Sequence, residues 1–214
     1  MHLLITAGPT WEPIDAVRYV GNRSTGKMGV ALAHAAAAAG HEVTLLLGPV
    51  GYDVAVDGGR VHRFGSSAEL KQLLEAHFRG CDALVMAAAV ADYRPIEVAE
   101  GKLPREPGKP LTLTLQPTPD LVALMAALKR PGQVVVAFAL EEVATLEQRA
   151  AAKMRRKNVD AIVANPLGTM ASDGITAVWL TAAGRRVEPG RMSKADFAAW
   201  LVKRVEELRA AAGV

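Results

Sequence analysis

The stretch ITAGPTWEPIDAVRYVGNRSTGKMG, residues 5–29, decides how this chain is expected to fold. It continues an apolar strand predicted over His2–Ile5, passes through a loop rich in glycine and proline, and ends in Ser-Thr-Gly-Lys-Met-Gly. A helix is predicted over Lys27–Ala39, because the alanine-rich run stops at Gly40. The first turn of a helix presents free backbone N–H groups, and small residues let a phosphate come close. The stretch therefore predicts an anion site between a strand and a helix.

Strand-like and helix-like segments alternate along the rest of the chain. Further strands are predicted over Glu42–Leu47, Val61–Phe64, Ala83–Ala88, Leu111–Leu115, Val134–Phe138 and Ala161–Val163. Further helices are predicted over Ala68–Phe78, Pro119–Leu128 and Val143–Lys157, with Pro119 in the first turn of its helix. This alternation predicts a single α/β domain over residues 1–214, with a mainly parallel sheet and helices on both faces.

Two segments depart from this alternation. Thr176–Leu180 and Arg185–Val187 are expected to pair as a hairpin, followed by a final helix over Lys194–Ala211 that Ser193 caps. Residues 93–110 contain four prolines and are long for a connection without secondary structure. They are therefore a candidate flap.

The charge balance excludes some classes of partner. The 214 residues carry a formal net charge of +3, with −2 in residues 1–107 (10 basic, 12 acidic) and +5 in residues 108–214 (15 basic, 10 acidic). So small an excess, together with 5% aromatic residues, predicts no nucleic-acid partner. The basic excess of the second half includes the run 153–157, which suits a bound triphosphate.

The cysteines, histidines and apolar runs of the chain exclude several further kinds of feature. Cys81 is the single cysteine, so no disulfide can form within the chain, and no cysteine–histidine cluster has zinc spacing. The chain contains no apolar run of membrane length and no visible signal peptide. A cytoplasmic protein without a membrane partner is expected.

Two familiar motifs resemble the glycine cluster only in part. Gly21, Gly26 and Lys27 fit a Walker-type phosphate loop, but Met28 stands where a serine or threonine should bind magnesium. Gly26 and Gly29 resemble part of a dinucleotide fingerprint, but a loop of about twenty residues is too long for that tight turn. The dinucleotide interpretation fits better than the Walker one, and neither is preferred.

Taken together, several segments resemble the phosphopantothenoylcysteine synthetase family of coenzyme A biosynthesis. The resemblance runs from Ile5 to Asn165 in the family's order and spacing. Its two long, specific segments are residues 5–29 and AAAVADYRP at 87–95. The shorter ones are GKLPRE at 101–106, PTPDLV at 117–122, AFALEE at 137–142 and KMRRKNVDAIVAN at 153–165.

The resemblance implies a three-layer α/β/α sandwich with a Rossmann-like sheet, a C-terminal hairpin and a last helix. It implies a ligase that joins 4′-phosphopantothenate to L-cysteine through an acyl-nucleotide, with release of pyrophosphate and a nucleotide monophosphate. CTP is expected ahead of ATP, with Mg²⁺ required and no flavin in this domain. A homodimer is implied, with Leu111–Leu115 and the Thr176–Val187 hairpin as candidate interface strands. A phosphopantothenoylcysteine decarboxylase domain or protein is a possible partner.

The family's functional residues carry over by position. Asn22 and Lys102 would be catalytic, the asparagine through its side-chain amide and the lysine through a closing flap. Nucleotide-binding residues would be Gly8, Ser24, Gly26, Gly29, Met86, Ala87, Ala88, Asp92, Lys102, Pro119, Asp120, Leu121, Val122, Phe138, Lys153 and Lys157. Phosphopantothenate-binding residues would be Arg18, Asn22, Ala88, Ala89 and Asp92, and Arg18 would act across the dimer interface. The metal ligands are left open, as is the effect of Pro104 and Arg105, which replace lysines of the family pattern.

Two other classes of function remain as alternatives. An NAD(P)-binding reductase could use the same sandwich, although the chain lacks the Tyr-x-x-x-Lys pair of the short-chain type. A non-catalytic nucleotide-binding module would not depend on Asn22 or Lys102 for its role.

Overall fold

Eight strands form one sheet in the part of the chain that this computed structural model describes, residues 1–169, 172 and 174–213. The strands in chain order are β1 (His2–Ala7), β2 (Trp11–Pro13), β3 (Tyr19–Gly21), β4 (Glu42–Leu47), β5 (Arg60–Arg63), β6 (Ala83–Met86), β7 (Tyr93–Pro95), β8 (Leu115–Pro117), β9 (Val134–Glu141), β10 (Ala161–Pro166), β11 (Gly174–Ile175), β12 (Val178–Thr181), β13 (Arg186–Val187) and β14 (Met192–Ser193). The α-helices are α1 (Lys27–Ala38), α2 (Ser67–His77), α3 (Leu121–Ala127), α4 (Leu146–Lys157) and α5 (Lys194–Ala212).

The large sheet has the order β13-β12-β10-β9-β6-β1-β4-β5. Strands β10, β9, β6, β1, β4 and β5 run parallel, and the β12–β13 hairpin adds the antiparallel edge. The predicted hairpin is therefore confirmed. So is the final helix, since the Ser193 side chain accepts a hydrogen bond from the backbone N–H of Asp196.

Helices cover the sheet on both faces because alternate strand residues point to opposite sides. On β1, Leu3 and Ile5 belong to the core that α1 and α5 complete, whereas Leu4 belongs to the core under α2, α3 and α4. Most central strands are therefore apolar throughout. The predicted three-layer α/β/α sandwich with a mainly parallel sheet is confirmed.

Some predicted boundaries are wrong. Only Leu115 of the predicted strand Leu111–Leu115 lies in a strand. Leu111, Leu113 and Leu115 are all exposed, because no layer within the described part of the chain covers them. Helix α3 starts at Leu121, since the Asp120 carboxylate caps it by accepting from the N–H of Ala123 (3.2 Å) and so places Pro119 outside the first turn.

Three further boundaries differ from the predicted ones. Strand β6 ends at Met86, so Ala87 and Ala88 already lie in the loop, and β9 continues to Glu141, which places Phe138 inside a strand. The α-helix predicted from Val143 begins at Leu146, after a single 3₁₀ turn.

In the part of the chain that the structure describes, three two-stranded ribbons stand apart from the large sheet, and one of them pairs β11 with β14. Strands β2 and β3 pair within the long loop after β1, β7 pairs with β8, and these two ribbons contact each other through β2 and β7. We call residues 11–21 and 93–117 the arm; it includes the candidate flap. Among the helices of the described residues, none has the length and apolar character needed to cross a bilayer.

Candidate active site at the carboxyl edge of the sheet

A cavity of about 570 Å³ opens where the parallel strands β1, β6, β9 and β10 end. Open α/β sheets bind their ligands at this edge, because the loops after the strands diverge there. The predicted residues that line the cavity are Asn22, Ser24, Gly26, Gly29, Met86, Ala87, Ala88, Ala89, Asp92, Pro119, Asp120, Leu121, Val122, Phe138, Lys153 and Lys157. The fold thus brings together side chains from positions that are far apart in sequence.

The start of α1 forms one wall of this cavity. Gly26 precedes the helix with a positive φ of 73°, a conformation that residues with a side chain rarely adopt. Gly29 lies so close to β1 that an added Cβ would be 2.5 Å from Ala7 Cβ. The first turn of the helix therefore sits directly against the sheet, and Lys27, Met28 and Gly29 of this turn line the cavity. Gly8 does not line the cavity; it lies behind the wall, close to Gly48.

Asn22 joins the two loops that border the cavity. Its Nδ2 donates to the carbonyl oxygens of Ala89 and Val90, both at 3.1 Å. Asn158 is the one non-glycine residue with a positive φ among those the structure describes, so Asn22 is not a left-handed turn asparagine. Both amide protons are engaged, which leaves Oδ1 as the atom free to act on a ligand unless the loop bonds exchange.

Two buried threonines fix the loop that follows β6. Thr6 Oγ1 accepts from the N–H of Ala88 (3.0 Å), and Thr10 Oγ1 accepts from the N–H of Ala91 (3.0 Å). Both threonines are fully buried. Sequence reasoning missed them because a threonine in a strand or loop carries no local sign of such a distant partner.

Basic residues of α4 form the opposite wall, and two of them are held by carboxylates. Lys153 Nζ lies 2.5 Å from Oε1 of the buried Glu141, and Lys157 Nζ lies 3.0 Å from Asp120 Oδ1. The spacing of four places both lysines on one helix face, as predicted. Each carboxylate restrains its lysine at the cavity wall.

The cavity also includes residues that were not predicted to line it. They are Thr25, Lys27, Met28, Val90, Ala91, Thr118, Ala139, Leu140, Arg156, Asn165, Thr169, Ile175 and Lys194. Most neighbour a predicted residue in sequence, so the resemblance could have suggested them. Lys194 is different: it reaches the cavity only because α5 packs beside α1.

Arg18 and Lys102 lie outside the lining of this cavity. Arg18 Nε donates to Asp15 Oδ2 (2.9 Å), and its Nη2 contacts the same oxygen and also donates to the carbonyl of Leu103 (2.8 Å). The Arg18 guanidinium, with backbone N–H groups of Val17, Leu103 and Arg18, holds the pKa of the Asp15 carboxyl well below its usual range. Arg18 and Lys102 are therefore associated with the arm.

The single cysteine is remote from this chemistry. Cys81 is fully buried, and burial raises the pKa of its thiol to about 11. A thiol with so high a pKa carries almost no thiolate at neutral pH and is a poor nucleophile.

Comparisons with known proteins identify the family of this chain. Residues 1–208 match the model of the DNA/pantothenate metabolism flavoprotein C-terminal domain. The bifunctional coenzyme A biosynthesis protein CoaBC of Vibrio vulnificus (strain CMCP6) is 38% identical over 213 residues, covering 96% of this chain and 52% of that protein. A protein named cysteine/cysteine sulfinic acid decarboxylase, from an unknown prokaryotic organism, is 44% identical over 165 residues, covering 77% of this chain and 45% of that protein.

A solved structure agrees with the sequence matches. The C-terminal domain of a CoaBC protein superposes with a TM-score of 0.83 at 30% identity and covers 97% of this chain and 94% of that one. The chain spans about half the length of the curated relatives it matches. It belongs to the family of the DNA/pantothenate metabolism flavoprotein C-terminal domain, and the resemblance seen in the sequence is confirmed.

Proposed function

We propose that this chain is a phosphopantothenate–cysteine ligase of coenzyme A biosynthesis. The observation that carries the proposal is the single cavity that combines Asn22, the start of α1, and the basic residues Lys153, Arg156 and Lys157. Such a cavity provides a polar side chain for an acyl-phosphate and two sources of positive potential for a triphosphate. The names of the CoaBC relatives support the place in coenzyme A biosynthesis.

The reaction has two steps. An oxygen of the 4′-phosphopantothenate carboxylate attacks the α-phosphorus of CTP, the bond to the β-phosphate oxygen breaks, and pyrophosphate leaves. The cysteine amine then attacks the acyl carbon, the bond to the phosphate oxygen breaks, and CMP leaves while the amine gives up a proton. The amide product thus forms without a net redox change.

The chain's residues bind and orient both reactants in this scheme. The N–H groups at the start of α1, with Ser24, would hold phosphate oxygens, and Lys153 and Lys157 would hold the nucleotide from the other side. Phe138 would pack against the base or ribose. Asn22 would order the loop at 89–90 and, when one amide proton exchanges from a loop carbonyl to the ligand, donate to the acyl-phosphate; Lys102 would approach the phosphates when the flap closes.

Magnesium fits this site as an ion carried by the triphosphate. Among the described residues no three or more His, Cys, Asp or Glu side chains converge as a cage. Mg²⁺ needs few protein ligands, because phosphate oxygens and water fill most of its octahedral shell. Asp92, an exposed carboxylate at the cavity rim, is the residue that would hold it. The ion would neutralise phosphate charge as pyrophosphate leaves.

We also propose a homodimer that covers the arm. Large apolar side chains are exposed there: Trp11, Val17, Tyr19, Tyr93, Ile96, Val98, Leu111, Leu113 and Leu115. So many exposed apolar side chains within the arm favour a protein partner. A second copy would bring Arg18 toward the neighbouring cavity. The 176–187 hairpin is a weaker interface candidate, because Val178 and Trp179 are already buried in their own core. A decarboxylase domain and a cytoplasmic location complete the proposal.

The deciding experiment measures pyrophosphate release with 4′-phosphopantothenate, cysteine, Mg²⁺ and each nucleoside triphosphate in turn. Release with CTP above ATP, together with the amide product by mass spectrometry, is expected. Release with ATP alone would revise the nucleotide, and release with none would exclude the ligase. A change of nicotinamide fluorescence on mixing would favour the reductase instead, and CTP binding without turnover would favour the non-catalytic module.

Asn22→Asp tests whether Asn22 is needed for the second step, in which the cysteine amine attacks the acyl-nucleotide. The variant cannot donate to the carbonyls of Ala89 and Val90, so the second step should slow and the acyl-cytidylate should accumulate to amounts that mass spectrometry detects. Asn158→Asp is the matched control, because Asn158 caps the end of α4 and does not itself line the cavity. Equal behaviour of the two variants would remove Asn22 from the mechanism.

A further inference from the structure

We infer that Asp15 is a positioning residue for Lys102, acting through the backbone of Leu103. The inference rests on the proposed function, in which Lys102 approaches the phosphates from the flap. Asp15 Oδ2 accepts from the N–H of Leu103 at 3.0 Å, and Arg18 Nη2 donates to the carbonyl of Leu103 at 2.8 Å. The residue adjacent to Lys102 is therefore held at both of its backbone hydrogen-bonding groups.

The anchor itself is rigid. The Asp15 side chain is fully buried (0% exposed) and accepts from the N–H groups of Val17 (2.8 Å) and Arg18 (2.7 Å) as well as from the guanidinium. These bonds orient the carboxylate before it meets the flap. A buried carboxylate with a charged partner and several N–H donors keeps one geometry, because any rotation would leave polar groups unpaired.

The flap makes few other hydrogen bonds or ion pairs near Lys102. In the described chain, the backbone bond nearest on the N-terminal side joins the N–H of Ala99 to the carbonyl of Ile14 (3.1 Å), and the Lys109–Glu106 ion pair is local and exposed. Residues 104–110 are all exposed. The Leu103 anchor is thus the attachment that limits where Lys102 can move, and it spans 88 residues of sequence.

Arg18 links this anchor to the ligand side. Its side chain is 40% exposed, so in the proposed dimer it can meet a phosphate bound in the neighbouring copy's cavity while it still holds Leu103. Binding of the phosphate and placement of Lys102 therefore share one guanidinium. Loss of the Asp15 charge is expected to loosen the flap and to lower the rate of the step that needs Lys102.

Tryptic cleavage after Lys102 and Arg105 tests the anchor without reference to activity. Asp15→Asn keeps the size of the side chain but weakens the bonds to Arg18 and Leu103, so cleavage should be roughly 10-fold faster. Asp57→Asn, at an exposed turn, is the matched control and should be cleaved like the parent. If Asp15→Asn does not fold, Arg18→Lys decides, because it keeps the charge beside Asp15 but loses the fork that reaches Leu103. Unchanged cleavage in a folded variant would overturn the inference.

A double-mutant cycle on the ligase reaction tests the link to Lys102. Asp15→Asn alone should lower kcat by about 10- to 100-fold, the size expected for a misplaced catalytic group. In a Lys102→Gln background the same change should have almost no effect, because the group it positions is gone. If the kcat losses of the two single variants instead multiply in the double variant, Asp15 has a merely structural role. If the parent shows no ligase activity, the proposed function fails, and the cleavage experiment alone decides the anchor.

Discussion

Replacing Gly29 by alanine should move α1 away from the sheet and weaken both the fold and the anion wall. A Cβ at this position would lie 2.5 Å from Ala7 Cβ, 2.8 Å from the Thr6 carbonyl oxygen and 2.9 Å from Ala7 Cα. Ordinary contact begins at 3.4 Å, so the helix must shift by about 0.9 Å, the difference between 3.4 and 2.5 Å. Two of the three atoms belong to the backbone and cannot rotate aside.

The expected size of the effect combines two opposing contributions. Overpacking of this kind costs about 1–3 kcal/mol, whereas alanine favours a helix over glycine by about 1 kcal/mol. We expect the free energy of unfolding to fall by up to about 2 kcal/mol, which lowers Tm by up to roughly 8 °C in a domain of this size. If this wall of the cavity binds the triphosphate as proposed, a shift of about 1 Å should also lower kcat/KM for the nucleotide by about 10- to 100-fold.

Thermal unfolding and steady-state kinetics check this prediction. Gly51→Ala serves as control, because nothing lies within 4 Å of its added Cβ, and its stability should stay within about 0.5 kcal/mol of the parent. A Gly29→Ala protein that melts at or above the parent temperature with unchanged kinetics would refute the claim that close packing of α1 builds the wall.

Three further predictions address other parts of the molecule. Because the pKa of Asp15 is depressed in the folded state, its ionised carboxylate stabilises the fold above the unfolded pKa of about 4, and this stabilisation is lost as the pH falls below that value. In Asp15→Asn the free energy of unfolding should therefore fall less steeply between neutral and acidic pH than in the parent. An unchanged pH dependence would contradict this. Thr10→Val should cost about 1–3 kcal/mol in chemical denaturation by leaving the buried N–H of Ala91 unpaired, whereas Thr10→Ser should cost less. Cys81, buried with a pKa raised to about 11, should react with a thiol reagent at pH 8 only as fast as the protein unfolds, and rapid native-state labelling would be inconsistent with that burial.

The fold was predictable wherever a short stretch of sequence indicates by itself which residues are buried or where an element begins and ends. Strand β4 has the predicted bounds, and the β12–β13 hairpin and α5 occur where expected, because periodicity, turn residues and capping residues act over a few positions. The Leu111–Leu115 prediction failed for the opposite reason. Alternating leucines indicate a half-buried strand only when another layer covers one side, and none of the residues that the structure describes covers that side of the arm.

The site was predictable in its residues more than in its contacts. Most residues taken from the resemblance line one cavity, since they follow strands whose carboxyl ends meet at the same edge. The sequence could not indicate that Asn22 donates to the loop at 89–90, or that Arg18 holds Leu103, because hydrogen bonds across 67 and 85 residues leave no local trace.

The amino-acid sequence by itself determined the α/β class, the glycine-rich helix start and the family. These features depend on short-range chemistry: burial period, free N–H groups at a helix start, and residues small enough to admit a phosphate. Only the tertiary structure decided that Asp15 and Arg18 hydrogen-bond the backbone of Leu103 beside Lys102 in the candidate flap, and that Lys194 reaches the cavity, where α5 packs on α1. Such partnerships arise because the sheet order and the layers bring distant segments together, which no local pattern can specify.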